Sequence, residues 1–135
     1  MKKTLLIFLF IPVFIYSQES VPYNEFNAGV YLGEDILIFP GASYLWGNTI
    51  YYKNNTLLDY QGGFALPTVF TGKIGVGIND KYNSAIVGVR PFPSSLYIQF
   101  TFRKKRLLSI EFMPPFLDWT PNANWPIILN YGYRW

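Results

Sequence analysis

Ile127-Ile128-Leu129-Asn130-Tyr131-Gly132-Tyr133-Arg134-Trp135 closes the chain and decides how the rest is read. Ile127, Leu129, Tyr131, Tyr133 and Trp135 fall on one face of a β-strand, because successive side chains of a strand point to opposite sides. Ile128, Asn130, Gly132 and Arg134 fall on the other. Soluble domains usually finish in a polar, frayed tail. Here the end is an apolar strand that stops on an indole.

Working back from that strand, seven more segments alternate with period two. Phe26, Ala28, Val30 and Leu32 oppose Glu25, Asn27, Gly29 and Tyr31. Tyr44, Trp46, Ile50 and Tyr52 oppose Ser43, Gly47, Thr49 and Lys53, with Leu45 and Asn48 breaking the pattern. Leu58, Tyr60 and Phe64 oppose Asp59, Gln61 and Gly63. Phe70, Ile74, Val76 and Ile78 oppose Thr71, Lys73, Gly75 and Gly77. Ala85, Val87 and Val89 oppose Gly88 and Arg90, and Leu96, Ile98, Phe100 and Phe102 oppose Tyr97, Gln99, Thr101 and Arg103. Leu108, Ile110 and Phe112 oppose Ser109 and Glu111. No stretch keeps a 3.6-residue period, so an all-β chain is expected.

Polar stretches at 53–56, 79–82 and 104–105 read as tight hairpin turns. The connections between them, at 34–41, 65–68, 91–94 and 114–124, are longer or carry proline. Alternating short turns and longer loops suits an antiparallel up-and-down barrel.

Volume indicates which face points inward. The apolar face carries thirteen aromatic rings, among them Phe26, Trp46, Phe70, Phe100 and Trp135. An eight-stranded barrel has an interior only just wide enough for its own side chains. Thirteen rings overfill it, whereas glycine, serine, threonine and glutamine fit. The expected arrangement is apolar side chains outward and polar ones inward. Composition agrees: charged residues are 14% and aromatics 20%, where a soluble domain carries about 25% charged residues.

The first residues add an address. Met1-Lys2-Lys3, the apolar run Leu5–Ile15 and the small residue Ser17 have the form of a secretory signal peptide, residues 1–17, ahead of a barrel at 18–135. The apolar run is too short to span a bilayer as a helix, which takes about 20 residues. Without residues 1–17 the net charge falls to +1, so the basic pI is largely theirs.

Signal peptide, alternation and aromatic terminus together resemble the small bacterial outer-membrane β-barrels, the OmpA-type eight-stranded family. The resemblance implies an eight-stranded antiparallel transmembrane barrel in the outer membrane of a Gram-negative bacterium. It implies outer-membrane lipids and the barrel assembly machinery as partners. It also implies an assembly signal in the last strand, on Leu129, Tyr131, Tyr133 and Trp135.

The inward face carries Glu25, Asp59 and Glu111 with Lys73, Arg90, Arg103 and Arg134. Buried charges are costly unless paired, so these seven are expected to form a lumen ion-pair network that plugs the barrel. Aromatics near the strand ends are expected to form two interfacial girdles, with Tyr51 in one of them. The chain has neither histidine nor cysteine, which removes imidazole and thiolate chemistry. No catalysis, cofactor, metal or nucleic-acid partner is expected. Gly72–Gly77 lies inside a strand pattern and does not match a phosphate loop. Arg103-Lys104-Lys105-Arg106 reads as a solvated turn near anionic headgroups. Phe116, Trp119 and Trp125 mark the one candidate contact loop. Two alternatives stand beside the structural membrane protein: a soluble lipocalin-like barrel for a hydrophobic ligand, and a lipid-modifying membrane enzyme.

Overall fold

The computed structural model describes residues 19–32, 39–66, 69–92, 94–113 and 127–135. Residues 1–17 and the loop bearing Phe116, Trp119 and Trp125 lie outside that set. Eight strands follow in order: β1 Glu19–Leu32, β2 Phe39–Tyr51, β3 Thr56–Leu66, β4 Val69–Asn79, β5 Ser84–Phe92, β6 Ser95–Phe102, β7 Arg106–Phe112 and β8 Ile127–Arg134. Each pairs antiparallel with its neighbours in sequence, and β1 pairs with β8. The sheet is a closed barrel, as the period-two pattern led us to expect. Closure leaves no strand edge unpaired, which removes the aggregation hazard of an open sheet.

The barrel is polar inside and apolar outside. Among the described residues, fourteen buried ones are polar or charged and only seven are hydrophobic. Strand β6 shows the rule residue by residue: Ser95, Tyr97, Gln99 and Thr101 are buried, while Leu96, Ile98, Phe100 and Phe102 are exposed. Phe70 is 63% exposed and Ile78 64%. A water-facing protein rarely leaves so continuous an apolar belt uncovered.

Narrowness of the lumen dictates its glycines. A Cβ on Gly75 would stand 2.5 Å from the Tyr97 hydroxyl and 2.8 Å from the Val87 carbonyl oxygen. Gly75 pairs with Gly88, and Gly88 with Tyr97, so the Tyr97 ring lies across two glycines. Tyr23 lies over its cross-strand partner Gly47 in the same way. Such aromatic cover of glycine suits the strong coiling a small barrel needs.

Three features refine the sequence expectation. Leu45 breaks the polar face because it points inward, fully buried, while Asn48 points outward to accept from Ser20. Only residues 67–68 separate β3 from β4, and only 93–94 separate β5 from β6. Long connections at that end are therefore confined to 33–38 and 113–126. Among the described residues, the outward rings of one group form a continuous line; the expected girdle members Phe116, Trp119 and Trp125 lie outside that set. Tyr133, Trp135, Tyr44, Trp46, Phe64 and Phe70 touch in sequence at 5.3–6.1 Å between centroids. They make one oblique seam across β8, β2, β3 and β4, because tilted strands bring diagonal neighbours together. Tyr51 leaves the outer face altogether and packs against the internal cluster of Leu57, Ile86 and Tyr97.

Candidate functional site

The interior charges are the chemically distinctive part of the molecule. They form two clusters at different heights.

The first is near the end that carries the turns at 52–55, 80–83 and 103–105. Glu25 and Arg134 are direct cross-strand partners on β1 and β8, so the pair sits on the closing seam of the barrel. Arg134 Nη2 and Nε donate to Glu25 Oε2 at 2.7 and 3.1 Å. Its Nη1 lies 3.5 Å from Asp59 Oδ1 on β3. Asp59 accepts from the hydroxyls of Thr49 at 2.6 Å and Tyr23 at 2.9 Å. The guanidinium also stacks on the Tyr23 ring, 3.6 Å from its centroid. A planar, delocalised cation is the side chain suited to this double contact. Asn27 donates to the remaining Glu25 oxygen at 2.8 Å.

The second cluster centres on Glu111 of β7, which is fully buried. Its Oε1 meets Lys73 Nζ at 2.9 Å and Arg90 Nη2 at 2.7 Å. It also accepts from Asn130 at 2.8 Å, while the Ser95 hydroxyl reaches Oε2 at 3.4 Å. A bulge helps to deliver Arg90. Gly72 pairs with Phe92 and Ile74 with Val89, so Arg90 and Pro91 together oppose Lys73 alone. Pro91 cannot donate to a ladder, and a bulge is a common way to re-aim a side chain beside a site.

Six of the seven expected network residues thus meet inside. Arg103 does not. Strand β6 ends at Phe102, and Arg103 and Lys104 take φ of 51° and 60°, the positive pair of a type I′ turn. That turn swings Arg103 into the open, where it is exposed. Its removal leaves three acids facing three bases. The charges are nevertheless shared unevenly: two carboxylates on Arg134 at one height, and two cations on Glu111 at the other. No local pattern along the chain assigns these partners. Glu25 and Arg134 are 109 residues apart and meet only because the barrel closes.

Each interior acid is held by cations or hydroxyl and amide donors, an arrangement that neutralises charge. Among the described residues, no group of three or more His, Cys, Asp or Glu has the arrangement to hold a metal ion.

The last strand places Leu129, Tyr131, Tyr133 and Trp135 on the outer face, all exposed. Trp135 extends the ladder past β8 through its backbone, donating to the Asn24 carbonyl at 3.0 Å and accepting from the Asn24 N–H at 2.8 Å. Its ring reaches over β1 to Tyr44 at 6.0 Å and stacks on Tyr133 at 6.1 Å. Ring pairs contribute about 0.5–1.5 kcal/mol each beyond area burial. Trp135→Ala should therefore cost about 1–3 kcal/mol, read as a lower urea midpoint of the refolded barrel. An unchanged midpoint would show that the ring contacts across the seam contribute nothing. No family model matches the chain, and neither a curated protein nor a solved structure is significantly similar to it.

Proposed function

We propose that this chain is an integral outer-membrane β-barrel of a Gram-negative bacterium, exported by residues 1–17 and held in lipid by its outer face. Its role is structural or one of surface contact, with an ion-paired interior and no catalysis. The observation that carries this reading is the inversion of the core: charges and amides inside, a belt of large apolar side chains outside. In water that belt forfeits about 25 cal/mol for every Å² of apolar surface left exposed. Against acyl chains it forfeits nothing. Closure also satisfies the backbone within the sheet, a requirement for any structure in hydrocarbon.

A soluble lipocalin-like barrel needs an apolar lumen for its ligand. Here the lumen holds six charged residues and is crossed by the Tyr23 and Tyr97 rings. Lipid-modifying catalysis is disfavoured by the way all three interior acids are engaged. Strands β1 to β4, at eleven to fourteen residues, exceed or match the length needed to cross a bilayer, about 9–11 residues. Strands β6 to β8 have seven or eight, so the lipid boundary must thin or the barrel tilt on that side.

Two measurements test the reading. The protein should fractionate with outer membranes and run at different apparent sizes on gels before and after boiling. A chain that stays folded and monomeric in buffer without detergent would overturn it. Ile98 points outward between Val87 and Ile110 near the middle of β6. Ile98→Arg should cost about 2–4 kcal/mol in phospholipid bilayers. The same substitution on a water-facing surface would be nearly neutral.

A further inference from the structure

We infer that the outer face of the barrel, at the loop end of β1 to β4, seats one unbranched acyl chain of a membrane lipid. This seat deepens the membrane reading and rests on it, naming what lies against one part of the belt.

Strand register builds the seat. One cross-strand row carries four rings side by side, Phe26, Tyr44, Phe64 and Phe70, contributed in turn by β1, β2, β3 and β4. The next outward-facing row towards the loops sets Ala28 on β1 opposite Ala42 on β2, and Ala42 opposite Leu66 on β3. Two methyl groups thus follow a row of large rings, and the surface drops. A groove of about 300 Å³ results, with Ala42 as its floor and Phe26, Tyr44, Phe64 and Leu66 as its walls.

Val69 borders the groove beside the β3–β4 connection. By alternation it belongs on the inward side of β4 with Thr71 and Lys73, yet it is 53% exposed and lines the outer groove. Its φ is 69°. A β-branched residue in that conformation is a genuine outlier, and such strain gathers at ligand clamps.

The lining selects the occupant. None of the described residues around the groove is charged, and the Ser43 hydroxyl accepts from Asn27 in the lumen, so it faces away. Headgroups, ions and polar peptides find no partner there. A second copy of this chain needs more. A stable interface takes about 20–30 residues a side, against eight described here. In lipid, moreover, apolar surface supplies no drive for two proteins to associate. The groove opens into the apolar belt beside the exposed Trp46 and Phe70, so acyl chains that cover the belt reach it. A cavity of about 150 Å³ takes a benzene ring, so this one takes roughly a dozen carbons, most of one acyl chain. Dispersion summed over many close contacts with rigid rings favours an unbranched chain over one bearing methyl side groups.

Trp46 reports on the groove, because its ring lies 5.3 Å from Tyr44 and 5.6 Å from Phe64. With Trp119, Trp125 and Trp135 replaced by Phe, it is the sole indole. The purified protein is placed in bilayers of branched-chain diphytanoyl phosphatidylcholine with a minor share of straight-chain phosphatidylcholine brominated at mid-chain. Quenching of Trp46 should match a local share of brominated lipid about threefold above the bulk share. Ala42→Phe, or the milder Ala42→Leu, should return it to the bulk value. Ala85→Phe, the same enlargement on the outward face of β5 between Ile78 and Phe100, should leave the enrichment unchanged. Quenching proportional to the bulk share with Ala42 in place, or enrichment that survives both Ala42 changes, would overturn the seat and leave the membrane reading intact. In bilayers of brominated lipid alone, an unquenched Trp46 would remove the membrane reading and the seat together. Ala42→Cys supplies the only thiol of the chain. A disulfide-linked dimer as its main product in dilute bilayers would overturn the seat by assigning the groove to a second copy.

Discussion

Gly75→Trp should leave the chain without a barrel, while Ile74→Trp, one residue earlier, should fold. The two positions differ only in the side of β4 they face. Even a Cβ at Gly75 meets Ile86 Cγ2 at 2.7 Å and the Val87 carbonyl oxygen at 2.8 Å. The carbonyl belongs to the β4–β5 ladder and cannot withdraw without breaking it. An indole there would have to expel the Tyr97 ring from its place over Gly75 and Gly88, and a closed barrel has no free edge through which to relax. Overpacking of an ordinary core costs about 1–3 kcal/mol. Expelling a ring from a lumen this narrow exceeds what a small domain can lose, since total stability is about 5–15 kcal/mol. Ile74 faces outward and is 45% exposed, so a larger apolar ring costs little there. Far-UV circular dichroism and boiling-dependent gel mobility read both variants. A folded Gly75→Trp beside an unfolded Ile74→Trp would mean that the faces had been assigned the wrong way round.

Glu111→Ala should be the most damaging removal of a single charge. Lys73 and Arg90 both rest on its carboxylate, so its loss leaves two buried cations facing one another beside Asn130, Ser95 and the Tyr97 ring, none of them an anion. Breaking a buried pair from one side costs about 3–5 kcal/mol. Here two partners are stranded, so the upper end applies. The urea midpoint of the barrel in micelles measures it. Adding Lys73→Met to the variant should return part of the loss, because one of the stranded cations is then gone. A double variant no more stable than Glu111→Ala would show that Lys73 and Glu111 are not coupled. The reverse deletion, Arg90→Met, should cost less, since Glu111 keeps Lys73 and Asn130 as partners.

The face of each strand was legible before any coordinates, because period two is a local property of extended backbone. The inward direction was legible too, from volume alone: thirteen rings cannot enter an eight-stranded lumen. Six of the seven charges assigned to the interior follow from those two arguments. Arg103 failed because alternation says nothing about where a strand stops. Arg103 and Lys104 adopt positive φ in place of the glycine or asparagine that would have announced a type I′ turn. Tyr51 failed for a related reason. An apolar residue on a polar face is tolerated wherever the lumen offers an apolar neighbour, as Leu57, Ile86 and Tyr97 do for Tyr51.

The sequence by itself determined the number of strands, their antiparallel order and the chemistry of each face, since all three depend on neighbours along the chain. Only the tertiary structure decided which charges meet. The Glu25–Arg134 pair exists because β1 and β8 close the ring, and Glu111 gathers Lys73 and Arg90 from across the lumen. The 80–83 and 103–105 turns are likewise distant in sequence yet bonded backbone to backbone, Lys104 N–H to the Tyr82 carbonyl at 3.0 Å. Pairing across a closed barrel depends on register and shear, which no local pattern encodes.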